Sequence, residues 1–136
     1  MIDFVNETDY IINEELLTKI FDRMKEDSVF EKDATCCVKF SEDEAIKTLN
    51  KQYRGCDVVT DVLTFNCEIK NIPFKGDIII NINQAERQRQ KISLEKEVAT
   101  LFIHGLLHLA GMDHLSKKEQ ERMNLYELRY KELIWI

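Results

Sequence analysis

The histidines constrain this chain most. All three, His104, His108 and His114, fall in one eleven-residue stretch, HGLLHLAGMDH, at relative positions 0, +4 and +10. Side chains four apart on a helix share a face and lie about 5–6 Å from one another, so His104 and His108 predict a helix that presents two imidazoles to one point. For His114 to return to that point the helix has to stop, and Gly111 supplies a residue free to take left-handed backbone. Three neutral imidazole nitrogens suit zinc, with the fourth tetrahedral position left to water, which is the pattern of a catalytic rather than a closed structural site. One Zn2+ per chain is therefore expected, although imidazole also suits nickel, copper and iron.

The rest of the chain predicts what carries that helix. A short strand is expected around Ile2 to Val5. Asn13 can cap a helix whose Leu16, Leu17, Ile20, Phe21 and Met24 recur at helical spacing. Thr35 to Phe40 reads as a strand, and Ser41 followed by Glu44 reads as a capping box opening a helix with Ala45, Ile46 and Leu49 on one side, ending at Arg54-Gly55. Asp61 to Phe65 and Asp77 to Ile82 are β-branched and apolar; the second, with three consecutive isoleucines, predicts a central strand covered on both faces. Asn83 to Lys91 predicts a short helix. Ser93 opens the histidine helix through Val98, Leu101, Phe102 and Leu109, and Ser116-x-x-Glu119 opens a terminal helix with Met123, Tyr126, Tyr130, Leu133 and Ile134 as its apolar stripe. Strands come early and helices flank or follow them, which predicts the α+β class.

With 136 residues, one proline, four glycines and no repeat or low-complexity tract, residues 1–136 are expected to form a single domain. The net charge of −6 argues against broad affinity for polyanions but leaves room for a local cationic site. Cys36, Cys37, Cys56 and Cys67 have no C-x-x-C spacing and two are adjacent, which reads as reduced thiols of an intracellular protein. MIDFVNETDY has neither a basic leader nor an apolar run, and no uncharged stretch is long enough to span a bilayer, so a cytoplasmic protein with no membrane partner is expected.

The spacing of the histidines follows the pattern H-E-x-x-H-x-x-G-x-x-H of zinc peptidases, with Gly105 where those enzymes carry their glutamate base. A peptidase reading would need a base from elsewhere in the fold.

The same stretch, His104 to His114, resembles the H-G-x-L-H-L-x-G-Y-D-H signature of the YbeY family, the metal-dependent endoribonucleases of bacterial ribosomal RNA maturation. Two further segments are similar to that family: LNKQYRGCDVVTDVLTF, Leu49 to Phe65, to its L-N-x-x-Y-R-x-x-D-x-P-T-D-V-L-S-F-P, and GDIIIN, Gly76 to Asn81, to its G-D-I-x-I. Met112 stands where tyrosine is usual, Val59 and Asn66 replace two prolines, and Thr64 replaces serine. The resemblance implies a zincin-like single domain with a mixed, mostly parallel four-stranded sheet packed with about five helices and a zinc site in an open cleft. It implies His104, His108 and His114 as zinc ligands and Arg54 as a residue needed for activity. It also implies single-stranded or ribosomal RNA as substrate, with the small ribosomal subunit and assembly factors as partners, in processing of the 16S 3′ end and in ribosome quality control.

Phosphodiester cleavage places negative charge on non-bridging oxygens and needs a Lewis acid, a cationic clamp and a route for a proton. The planar guanidinium of Arg54 suits the clamp. Asp113 is a candidate to orient the neighbouring His114 or to serve the turn, and Asp57 and Asp61 are weaker candidates. Lys47, Lys51 and Arg54 can form a phosphate track, Arg87, Arg89 and Lys91 read rather as a solvated face, and Tyr53 is either a base-stacking platform or a core residue. A different class remains open beside the nuclease: a non-catalytic ribosome-assembly factor whose zinc is structural.

Overall fold

In the computed structural model, which describes residues 1–67, 75–112 and 116–135, the chain runs β1 (Ile2–Asn6), α1 (Glu14–Glu26), β2 (Thr35–Ser41), α2 (Asp43–Arg54), β3 (Val62–Cys67), β4 (Lys75–Asn81), α3 (Ile82–Gln88), α4 (Leu94–Leu109) and α5 (Lys117–Trp135). The strands form one sheet in the order β1-β2-β4-β3, with β1, β2 and β4 parallel and β3 antiparallel to β4. This is the α+β architecture expected, a mixed, mostly parallel four-stranded sheet with five helices among the described residues.

The isoleucine run explains how the layers divide. Successive strand residues point to opposite faces. Ile78 and Ile80 are buried with Leu17, Phe21, Phe102, Leu106, Met123 and Tyr130, so α1, α4 and α5 cover that face. Ile79 is buried on the other face with Leu63 and Ile46, beneath α2. Strand β4 is interior, flanked by β2 and β3, and β3 is an edge.

Helix α4 lies close over this sheet. A Cβ on Gly105 would stand 3.1 Å from Cγ2 of Ile78 and 3.4 Å from Cγ2 of Thr64 on β3. The helix starts where the side chain of Ser93 accepts from the N–H of Lys96 and ends in the double bond of a Schellman turn: the N–H of Gly111 to the carbonyl of His108 and the N–H of Met112 to that of Leu107, with Gly111 at φ 94°. Asn13 caps α1 and Ser116 caps α5 as expected.

One expected cap is corrected. Ser41 does not open α2: it is the last residue of β2, paired with Asn81, and its hydroxyl is buried with no hydrogen-bond partner among the described residues. The first turn of α2 is capped from a distance, by the side-chain oxygen of Asn83 accepting from the N–H of Asp43 at 2.9 Å. Strand β3 also begins one residue later than expected, at Val62, whose N–H donates to the carboxylate of Asp61 at 2.8 Å. Helix α3 starts directly at the end of β4, where the side chain of Asn81 accepts from the N–H groups of Asn83 and Gln84.

Candidate metal centre

Helix α4 is apolar on most sides, with nine buried residues, and its two histidines are the polar exceptions in its last two turns. His104 and His108 are half-buried. Their rings lie 4.4 Å apart between centroids at 75° to each other, and their Nε2 atoms are 2.9 Å apart. Two imidazole nitrogens sharing a tetrahedral zinc at the usual bond lengths are about 3.3 Å apart, so the pair fits one ion after a shift of a few tenths of an ångström.

The orientation of the first ring is set from another helix. Nδ1 of His104 lies 2.8 Å from Oε1 of Glu127 on α5, whose side chain is 18% exposed. In the neutral tautomer that donates from Nδ1 to this carboxylate, Nε2 of His104 keeps a lone pair. His108 then donates through Nε2 in the contact between the rings. In the other neutral tautomer of His108, with its proton on Nδ1, both Nε2 atoms present lone pairs to the same point, which is the donor chemistry a divalent metal requires.

His114 and Asp113, the expected third imidazole and its neighbour, lie outside the described residues. Among the described residues no group of three or more histidine, cysteine or acidic side chains is gathered to hold a metal. Arg54 ends α2 and is exposed. Helix α2, which ends in Arg54, packs on the Ile79 face and α4, which carries the histidines, on the Ile78 face, so the two helices cover opposite sides of the sheet. Tyr53 is 63% exposed and stacks edge-on against Phe65 of β3, with ring centroids 5.3 Å apart.

Five of the other charged candidates, Lys51, Asp57, Asp61, Arg87 and Arg89, have local partners. Lys51 and Asp57 are 4.0 Å apart at the surface, and Asp61 holds the start of β3 and accepts from Gln88. Arg87 grips both carboxylate oxygens of Asp43, and Arg89 is bound to Glu86 and to the carbonyl of Ile92. Asp43 is held below the ordinary carboxylate range by the hydrogen bonds from Arg87, and further by one from Asn81. Cys36, Cys37 and Cys56 are free thiols; burial pushes Cys36 up to about 12 and raises Cys37 as well.

Glu127 was not among the residues the sequence singled out, yet it leaves a sequence signal. It lies four residues after Met123 and three before Tyr130, on the buried stripe of α5, where a carboxylate has to find a partner.

Sheet, helix and paired imidazoles together define an α+β protein built around a histidine-bearing helix. The family model described as Endoribonuclease YbeY matches residues 3–132. The chain is 37% identical over 131 residues to Endoribonuclease YbeY of Nautilia profundicola, covering 94% of this chain and 88% of that one. It is 47% identical over 89 residues to Endoribonuclease YbeY of Helicobacter pylori, and there the match spans 63% of each chain. The solution structure of TM1509 from Thermotoga maritima has a similar fold, with a TM-score of 0.68 at 31% identity, covering 99% of this chain and 89% of that one. The chain belongs to the Endoribonuclease YbeY family.

Proposed function

We propose that residues 1–136 act as a single domain, a zinc-dependent endoribonuclease specific for single-stranded RNA. Its work is ribosomal RNA processing, at the 3′ end of 16S RNA, and ribosome quality control in the cytoplasm, with the small ribosomal subunit and assembly factors as partners. The observation that carries this reading is the convergence of the His104 and His108 Nε2 atoms, 2.9 Å apart, in a chain of this family. No helix among the described residues is long and apolar enough to cross a membrane.

In this reading His104, His108 and His114 hold the metal. Zinc bound there supplies Lewis-acid stabilisation of the charge that develops on the phosphate oxygens. Arg54 binds the scissile phosphate with two parallel N–H donors from the α2 side of the β3 edge, fixing its orientation. Tyr53 offers an exposed aromatic face beside it for an unpaired base, which favours single strands over duplex. Asp113 keeps the secondary role of orienting His114.

The test is cleavage of a labelled single-stranded RNA and of the same RNA annealed to its complement, before and after chelation and after zinc is restored. The reading predicts cleavage of the single strand alone, lost on chelation and regained with zinc. Undiminished cleavage after complete metal removal would sink it.

A second reading, an assembly factor with structural zinc, draws on the acidic net charge and on the engagement of Arg87 and Arg89 with protein partners. It predicts a large fall in melting temperature on chelation and particle binding by a folded His114→Ala variant. An unchanged melting temperature counts against it.

A further inference from the structure

We infer that Glu127 is a positioning residue for the metal centre, acting through the His104 imidazole from a different helix. The inference rests on the metal reading just proposed. Its basis is geometric: Oε1 of Glu127 lies 2.8 Å from Nδ1 of His104, while Nε2 of the same ring points at Nε2 of His108. A ring held at Nδ1 by a carboxylate has one tautomer and one orientation, with the lone pair on Nε2 facing the ion, and the negative charge makes that nitrogen a stronger donor. His104 therefore enters binding already aligned, whereas an unsupported ring would divide between tautomers and rotamers and lose affinity in proportion.

The arrangement also ties the site to the seating of α5. Met123, Tyr130 and Ile134 bury that helix against the core, and Glu127 lies on the same stripe, so packing of the terminal helix sets where the carboxylate stands.

The experiment measures the zinc dissociation constant by competition with a chromophoric chelator for wild type, Glu127→Gln, Glu127→Ala and His104→Ala, with nitrogen-15 NMR of the His104 ring in the metal-free proteins. Mutation of a residue that orients a ligand imidazole weakens metal binding by about 10- to 100-fold. Glu127→Ala is expected to fall in that range and to show a mixed His104 tautomer. Glu127→Gln, which keeps an acceptor oxygen, is expected to retain the Nδ1–H tautomer and lose less. If His104→Ala loses zinc while both Glu127 variants bind as tightly as wild type, the inference is overturned and the metal reading stands. If His104→Ala binds zinc like wild type, the metal reading itself falls. Should Glu127→Ala fail to fold, the affinity and tautomer of Glu127→Gln decide: a wild-type dissociation constant there overturns the inference.

Discussion

Gly105 lies so close beneath Ile78 that a Cβ on it would stand 3.1 Å from the isoleucine's Cγ2. Zinc peptidases with this histidine spacing carry their glutamate base at that position. Here the position faces a buried strand, and a carboxylate would be pressed against Ile78, which is fully buried at the centre of the sheet. The missing base is thus a consequence of how tightly α4 is seated. Gly105→Ala gains helix propensity but has to displace a β-branched residue on an interior strand, and a net loss of about 1 kcal/mol is expected in urea unfolding. Gly105→Glu is expected to prevent folding rather than to create a peptidase. A Gly105→Ala variant more stable than wild type would show that the helix can lift.

Arg54 is exposed at the end of α2, so its removal is expected to leave stability within about 0.5 kcal/mol. If it clamps the phosphate, Arg54→Ala lowers RNA cleavage by about 100-fold with zinc content unchanged. Parallel cleavage assays, metal analysis and melting curves check this; cleavage at the wild-type rate removes Arg54 from the mechanism.

Asn81 is fully buried at the end of β4 and joins four segments: its amide donates to Asp43 and to the carbonyl of Thr60, and its oxygen accepts from the N–H groups of Asn83 and Gln84. Asn81→Ala leaves buried groups unpaired and is expected to cost about 2–3 kcal/mol. Denaturant unfolding measures it, and a loss below half a kilocalorie would mean that water replaces the side chain.

Asp43 gives a pH signature. Its folded carboxyl is held below its ordinary value of 3.8, first by the hydrogen bonds from Arg87, so its contribution is complete above the unfolded range and is lost as pH falls through the folded value. The stability gap between wild type and Asp43→Asn is expected to stay constant from pH 7 to about 5 and to shrink below about 4. A gap that persists unchanged to pH 2 would contradict the assignment.

At the alkaline end Tyr130 takes over. Burial, and then its hydrogen bond to Asp27 at 2.9 Å, raises the phenol well above 10. The folded state therefore holds a proton that the unfolded chain releases, and stability present below pH 10 declines above it. Tyr130→Phe is expected to lack that part of the decline, which urea titrations at pH 8 and 11 would show; parallel declines in both proteins would contradict it.

What the sequence disclosed follows the range over which each signal acts. The histidine helix, its stop at Gly111 and the caps at Asn13, Ser93 and Ser116 depend on residues within a turn or two, and they stand where periodicity and capping chemistry predicted. The burial of Ile78, Ile79 and Ile80 on both sides of the sheet was legible in the same way. Ser41 misled because its capping pattern is local while its fate is not: pairing with Asn81 drew it into β2, and Asn83, forty residues beyond the Asp43 N–H it accepts from, became the cap. Glu127 was missed for a related reason, since its partner His104 is 23 residues away on another helix. Likewise, nothing local to Arg54 says which face of the sheet α2 covers; that depends on Ile46 meeting Leu63 and Ile79.

In the proposed reading the paired imidazoles of α4 hold the centre that cleaves RNA. Its most direct test is the rate of cleavage of a labelled single-stranded RNA by wild type and by His108→Ala, purified side by side so that a contaminating nuclease shows in both. Cleavage by the wild type and none by the folded variant is expected. Equal cleavage by the two proteins would contradict it.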